Sequence, residues 1–526
     1  MSQNLATPGV YVEEKNAFSN SVAAVPTAVP AFIGYTEKAR RDGRSLINKP
    51  VRISSLSEFY NIFGGGPTTT FNVQSADANE DYDFEIGNNG YKIVSDNKAR
   101  FMLYDSIRLF FANGGSTCWV VSAGSYYSEV KSSAPAAKSK DGKDAKQPSS
   151  TTELKQNAIS KKALQEALDS LYGEEEPTML VVPEAVMLEE ADCFALQQDM
   201  LSHCGYRTKS RFAILDVFDG TKARSYDKND VITRFREGIG SNFLAYGAAY
   251  YPWVYTSVVQ NEELSYANIS NTDKLKELLS KEAEASAPNA KKADEIKAEI
   301  NKIGDVDDIS SLTQTLKVIS PSFEKILQKI KTHLNVLPAS AAMAGVYTMI
   351  DGERGVWKAP ANLTVSQAIA PMVRLTQDDQ EDLNVTPSGK SINAIRAFVG
   401  EGTTVWGART LDGNSQDWRY INVRRTITYI EQSIKKAAKA YVYEPNNSGT
   451  WVLVRSMINS FLNDIWRQGG LVGLTPADAY DVQVGLGSTM TPNDILDGVM
   501  NVSVKVAVSR PAEFIVITFQ QKMQES

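Results

Sequence analysis

The residues best equipped for chemistry in this 526-residue chain are two histidines, three cysteines and two glycine-rich stretches. His203-Cys204, with Cys193 shortly before, brings together an imidazole and two thiols, side chains that hold zinc or generate a thiolate nucleophile. A structural zinc site takes four such ligands in short paired spacings, and here a second short pair and a fourth ligand are missing. A Cys–His nucleophile needs a polar cleft and a third group to orient the base, and the sequence marks neither. The plainer reading is a buried thiol beside a partly exposed imidazole. Phe63 to Phe71 reads FGGGPTTTF. A phosphate-binding loop needs a lysine followed by Ser or Thr after its second glycine; here Pro67 follows the glycines, so the stretch reads as a turn. GEGTTVWGART, Gly400 to Thr410, lacks the strand–turn–helix setting and downstream acid of a dinucleotide site. The carboxylates of Asp378-Asp379-Gln380-Glu381-Asp382 and of Gly352-Glu353-Arg354 read as solvated faces or ion pairs, because acid–base work needs one member desolvated. The expectation is a chain that is not an enzyme, with no catalytic, metal-binding or cofactor-binding residue.

The remaining chemistry is that of association. The chain closes on PAEFIVITFQQKM, in which the run Phe514, Ile515, Val516, Ile517, Thr518 and Phe519 leaves neither face of a strand polar. Unpaired backbone along such a run recruits any strand it meets, and chain ends are weakly ordered unless tied down. Near the other end, Val10, Tyr11 and Val12 form a small β-prone run after the turn residues Thr7-Pro8-Gly9. Lys435, Lys436 and Lys439 lie on a helix whose apolar stripe is Ile427, Ile430, Ile434, Ala437, Ala438 and Tyr441. That basic face reads first as solvation and second as a docking surface.

These candidates must be held by elements that the pattern also predicts. Ala31–Tyr35, Cys118–Val121, Met179–Val182, Phe212–Leu215 and Trp253–Tyr255 look like short buried strands, with helical patterns between some of them, as around Leu164 to Leu171. This spacing predicts an α/β domain with a largely buried sheet. Residues 131–152 contain no Val, Ile, Leu or aromatic residue, a composition of a flexible surface loop. Residues 262–333 are rich in Lys, Glu, Leu and Ile, with Leu275, Leu278 and Leu279 on one face and Ile326, Ile330 and Leu334 on another, which predicts a helical insertion. Trp451–Arg467 predicts a helix buried through Val454, Ile458, Phe461, Leu462 and Ile465 and closed by Gly469-Gly470. Thr475-Pro476 and Thr491-Pro492 each start a short helix. In MNVSVKVAVS, Val502, Val504, Val506 and Val508 alternate with Ser503, Lys505, Ala507 and Ser509, the pattern of a strand with one face on a core.

Composition bounds the class. Lys plus Arg number 55 against 62 Asp plus Glu, a net charge of −7, which argues against a general nucleic-acid binder. Hydrophobic residues at 42% and charged residues at 22% are an ordinary globular balance. The start, MSQNLATPGVYVEE, has neither the basic nor the apolar region of a secretory signal. No stretch approaches the ~20 apolar residues needed to span a bilayer, and three unpatterned cysteines point to a reducing cytoplasm.

Several stretches resemble the contractile tail sheath family: TPGVYVEE and VPTAVPAFIGYT at the front, YGAAYYPWV at 246–254, LPASAAMAGVYTMIDGERGVWKAPAN at 337–362, SINAIRAFVGEGTTVWGARTLDG at 391–413, WRYINVRRTITYIEQSI at 418–434, YEPNNSGTWVLVRSMINSFLNDIWRQGGLVGLTPADAY at 443–480, and the closing RPAEFIVITF. The resemblance implies a mixed α/β, α+β multidomain fold: a discontinuous core domain made from both chain ends, with inserted outer domains. On that reading residues 1–22 are an N-terminal arm, 23–384 an outer domain carrying the 131–152 loop and the 262–333 insertion, 385–510 the core, and 511–526 a donated-strand arm. It implies stacked six-fold rings around an inner tube, joined by strand exchange through Val10–Val12 and Phe514–Phe519, with Lys435, Lys436 and Lys439 facing the tube. Energy stored in a metastable extended lattice then drives the tube through a target envelope. The partners it implies are further copies of the chain, the inner tube protein, baseplate and terminator or cap proteins, and a paralogous sheath protein, with no nucleic acid and no membrane insertion. Assembly in a bacterial cytoplasm and incorporation into a phage tail or tail-like particle follow. The single chain and the nine residues before Val10 favour a phage or extracellular-type particle over a secretion sheath. Two other readings stand beside it, another tail or baseplate component and an unrecognised hydrolase. Without the resemblance, a hairpin between 500–509 and 513–519 within one chain is the simpler fate of the closing strand.

Overall fold

The computed structural model describes residues 22–77, 81–86, 89–96, 100–132 and 151–517. Val10, Tyr11, Val12, Thr518 and Phe519 lie outside the described residues, as does most of the 131–152 segment. The chain divides into two compact units, Met1–Val25 with Thr426–Ser526, and Pro26–Arg425.

The larger unit is built on a nine-stranded sheet in the order Leu363–Thr364, Gly402–Trp406, Asn393–Phe398, Gly247–Tyr251, Phe212–Asp216, Met179–Val181, Pro30–Thr36, Cys118–Ser125 and Val51–Ile53. The central pairings are parallel, and antiparallel strands close both edges. Pro30–Thr36, Phe212–Asp216 and Gly247–Tyr251 are buried at every residue. That explains their largely apolar runs: a parallel sheet covered by helices on both faces has little room for polar side chains, and the polar Thr36 and Asp216 stand at the strand ends. Leu103–Ala112 and Ser340–Arg354 pack on each other, and Lys161–Asp169 packs on Glu190–Ser202 and on strand Cys118–Ser125. Trp253–Tyr255 does not extend this sheet. Val254–Thr256 pairs instead with Val336–Leu337 and Ala368–Pro371 in a small antiparallel sheet.

The expected helical insertion is four helices, Thr272–Ser286, Ala290–Asn301, Ile309–Ile319 and Pro321–Leu334. Leu275, Leu278, Leu279, Ile326 and Ile330 are buried, and the core they form is separate from that of the main sheet. It also contains Phe71, Val73, Phe84, Tyr91 and Ile93, from a three-stranded sheet about 200 residues earlier in the chain. The module is therefore built from two distant insertions. Asn271 joins them by donating to the Val73 carbonyl (2.8 Å) and accepting from the Val73 amide (3.0 Å). The ends of the expected loop are paired as well: Tyr127–Ser132 and Thr151–Gln156 form an antiparallel hairpin.

The boundary between units falls between Arg425 and Thr426, inside the helix Ile421–Ala438, rather than at 384/385 as expected. The reason is strand pairing. Asn393–Phe398 and Gly402–Trp406 complete the nine-stranded sheet, so residues 385–425 fold with the larger unit.

The smaller unit holds the rest of that helix, the helix Ser448–Arg467, two short helices and a two-stranded ribbon, Tyr480–Val484 with Val502–Val506. Asn447 caps the Ser448–Arg467 helix through the Thr450 amide (3.2 Å), and Gly469 at φ +84° closes it. Val454, Ile458, Phe461, Leu462 and Ile465 are all buried, as their spacing predicts. Pro476–Ala479 and Pro492–Leu496 both carry capping boxes, from Thr475 with Asp478 and from Thr491 with Asp494.

Candidate assembly interface

Main-chain hydrogen bonds tie the closing residues to the smaller unit as far as Ser509. The ribbon strand Tyr480–Val484 packs on the helix Ser448–Arg467, and the Asn463 amide donates to the Tyr480 hydroxyl (3.2 Å). Beyond the ribbon, the Val472 amide donates to the Ala507 carbonyl (2.7 Å) and the Ser509 amide to the Gly470 carbonyl (3.2 Å). From Pro511 to Ile517 no strand pairing is recorded. Phe514, Ile515, Val516 and Ile517 are 70%, 78%, 88% and 70% exposed. Four consecutive large apolar residues in water lose roughly 1.5–3 kcal/mol each relative to full burial.

The hairpin alternative is thereby corrected. Val502–Val506 pairs with Tyr480–Val484, 18 or more residues earlier in the chain, and the described part of 513–519 is not in a strand. The valine face expected on a core is only partly covered: Val504 and Val506 are half-buried and Val502 is 36% exposed. Further apolar side chains surround this region in the same unit, with Leu474 at 96% and Leu496 at 84% exposed, and Val452 and Leu453 exposed on the outer side of the long helix. Sequence reasoning passed over these four. Leu474 carried a signal, an isolated leucine between two turn-forming segments, where no periodic core face requires it.

Lys435, Lys436 and Lys439 are all exposed. Opposite them Ile430, Ser433 and Tyr441 are buried, and the Val25 amide donates to the Ser433 hydroxyl (3.3 Å), tying a residue next to the N-terminal segment to this helix.

The reactive-looking residues take structural parts. His203 is buried within a π-helical turn, its Nε2 2.6 Å from the Arg211 guanidinium and its ring stacked on Tyr172. Burial, reinforced by the Arg211 charge, pushes its pKa down to about 3, so it stays a neutral imidazole. All three cysteines are buried, and burial pushes each thiol well up, away from the thiolate. In FGGGPTTTF, the helix Leu56–Phe63 ends at Gly64 (φ +85°), and the Gly65 amide donates to the Glu37 carboxylate (2.7 Å), so a residue of the chain already takes the anion's place. Gly400 lies in the turn between two paired strands and Gly402 opens the second of them, both at positive φ. Asp379 closes a capping box with Thr376 and accepts from the Tyr226 hydroxyl; burial raises its pKa, but these hydrogen bonds hold it below the usual carboxylate value. Asp382 pairs with Arg224 (3.0 Å) and Arg236 (2.9 Å). Among the described residues no three His, Cys, Asp or Glu side chains converge as metal ligands do, and no helix is long and apolar enough to cross a membrane.

The described residues thus form a mixed α/β fold that carries an exposed apolar run, Phe514–Ile517. Residues 414–522 match the phage tail sheath C-terminal domain family. A tail sheath protein of Vibrio phage KVP40 is 25% identical over 215 residues, 41% of this chain and 31% of that protein, so the match spans about a third of the relative. Two solved structures align over nearly the whole chain. One is the PVC sheath of an extracellular contractile injection system in its contracted state (27% identity, TM-score 0.58, 99% of both chains). The other is the helical sheath of the anti-feeding prophage, also contracted (26% identity, TM-score 0.57, 98% of this chain and 99% of that one). Its C-terminal part thus matches a tail sheath domain, and nearly its whole length is similar in fold to solved contractile sheaths.

Proposed function

We propose that this chain is the structural subunit of a contractile sheath, polymerising as stacked six-fold rings around an inner tube and shortening to drive that tube through a target envelope. One observation carries the reading: Phe514–Ile517 is exposed, apolar on both faces and without a strand partner among the described residues. A strand of this kind is completed by a neighbour's sheet, where main-chain hydrogen bonds supply affinity and alternate side chains supply register. The ribbon Tyr480–Val484 with Val502–Val506 offers that sheet, being two strands wide. Each bond contributes about 0.5–1.5 kcal/mol net, so a donated strand holds neighbours together while leaving them free to rotate about its extended link. Val10–Val12 at the other arm add a second strand. Such links keep the lattice joined as packing between subunits switches between two arrangements.

On this reading the partners are further copies of the chain, an inner tube protein docked on Lys435, Lys436 and Lys439, baseplate and terminator proteins, and a paralogous sheath protein. The subunit is made in a bacterial cytoplasm and works in a phage tail or a tail-like particle, and it is not an enzyme. The decisive experiment compares the full chain with a variant ending at Ala512 by electron microscopy. The full chain is expected to form hollow tubules. The shortened chain, its ribbon and helices intact, is expected to keep its circular dichroism and remain disperse. Normal tubules from the shortened chain would refute strand donation.

A further inference from the structure

The hairpin Arg40–Arg41 with Arg44–Ser45 is the clearest place where the chain breaks a rule of local stability without a visible return. Its root is fixed: Ala39 is buried, the Leu46 amide donates to the Ala39 carbonyl (2.9 Å), and the Lys38 amide donates to the Phe63 carbonyl (3.0 Å). Asp42 and Gly43, at φ +50° and +75°, make the tight turn that Asp-Gly favours in a two-residue hairpin. The register then sets Arg41 directly opposite Arg44. Like charges opposed across a strand pair are destabilising, and all four strand residues are exposed. No ion pair is recorded for Arg40, Arg41 or Arg44 among the described residues, whereas the nearby Arg52, itself about half exposed, pairs with Glu176 at 3.1 Å. Among the described residues, the fold thus neutralises Arg52 and leaves the hairpin arginines without an ion-pair partner.

Charge suggests what they meet. Residues 37–49 hold five cations and two acids, a net +3, in a chain of net −7, so the rest of each copy carries −10. We propose that this hairpin docks on an acidic face of a second copy of the chain, adding a charge-steered contact to the assembly. The inference rests on the sheath reading, since it requires copies to meet. Arginine suits the task because its planar fork binds carboxylates two-pronged and is more weakly hydrated than an ammonium. The tight turn also fixes the backbone that carries the arginines, so little main-chain freedom is lost on docking.

The test uses the full chain and the triple variant R40E/R41E/R44E, with R40K/R41K/R44K as the conservative control. Sedimentation and electron microscopy are run from roughly 0.05 to 0.5 M NaCl, a range over which the screening length falls several-fold. The expected result is that the glutamate variant keeps the wild-type melting temperature but associates at least about tenfold more weakly. Wild-type association is expected to weaken with salt, and the lysine variant to lie between the two. Equal assembly and equal salt dependence of wild type and glutamate variant would overturn the hairpin proposal and leave the sheath reading intact. A wild-type chain that stays monomeric throughout would overturn both. Duplex DNA and phosphatidylserine vesicles are added as competitors; capture of either through these arginines, with self-association unaffected by the variant, also overturns it.

Discussion

Glu184 shows what single residues do in this molecule. Its carboxylate is fully buried, accepting from the amides of Tyr35 (2.8 Å), Met102 (3.0 Å) and Leu103 (3.1 Å), and so joins a central strand to the start of the helix Leu103–Ala112. Burial raises its pKa to about 7, more than the three amides lower it. A folded pKa above the unfolded value means that the native state binds the proton more tightly. The stability linked to that proton is fully present below pH 4.5 and is lost as pH rises through 7. Asp216, capping the helix Ser340–Arg354 through the Ser340 amide (2.9 Å) and raised to about 6 by burial, acts in the same direction. Thermal midpoints of the full chain are therefore expected to fall between about pH 5 and 7.5. In Glu184→Gln that fall is expected to flatten, with a lower midpoint at pH 5, because an amide NH2 faces an amide donor. An unchanged slope would remove Glu184 from the account. At Arg425 the coupling is ionic: its guanidinium meets Asp351 at 2.6 Å, both almost fully buried, and lies 4.8 Å over the Tyr347 ring. Asp351→Asn strands a buried cation and is expected to cost about 3–5 kcal/mol in denaturant unfolding. Neither Glu184 nor Asp351 stood out in the sequence, because a carboxylate beside a valine run looks the same whether its partners are water or distant amides.

At the scale of elements, the helical module behaves as a separate core. Leu278 and Phe323 are buried there at 0% exposure, away from the residues that cover the main sheet. Leu278→Ala is expected to cost about 2–5 kcal/mol within the module. By hydrogen exchange, amides of 272–334 should lose protection while those of Phe212–Asp216 keep theirs; equal loss in both would show one cooperative core. The four helices were legible because leucines recur at helical spacing. Their partner sheet was not, since Phe71, Tyr91 and Ile93 come from strands whose company only the fold reveals. The tail makes the opposite case: its β-prone, two-faced apolar run was plain in the sequence, and the absence of a strand partner for Phe514–Ile517 among the described residues was not.

For the whole molecule, the two compact units divide the work, the larger holding the broad parallel sheet and the smaller the long helix, ribbon and tail. On the proposed function the exposed lysines face an acidic tube, so Lys435→Glu with Lys439→Glu is expected to leave tubules intact while abolishing co-sedimentation with tube protein. Retained co-sedimentation would dismiss that face. The division at Arg425 was misplaced by sequence reasoning because the stretch from Ser391 carries family-like motifs throughout, and motif continuity says nothing about which sheet a strand completes.

Local pattern fixes what neighbours in the chain can decide, and here that was substantial. Apolar runs dictated buried strands, leucine spacing dictated helices, Thr-Pro with a following acid dictated capped helix starts, and the absence of paired ligand spacings argued against metal chemistry. Tertiary structure decided which strands lie side by side, that two insertions about 200 residues apart share one core, and that Phe514–Ile517 has no strand partner among the described residues. The physical reason is the same in each case. Secondary structure follows from contacts a few residues apart, whereas pairing and burial are settled by contacts hundreds of residues apart, whose energy depends on geometry that no local window contains.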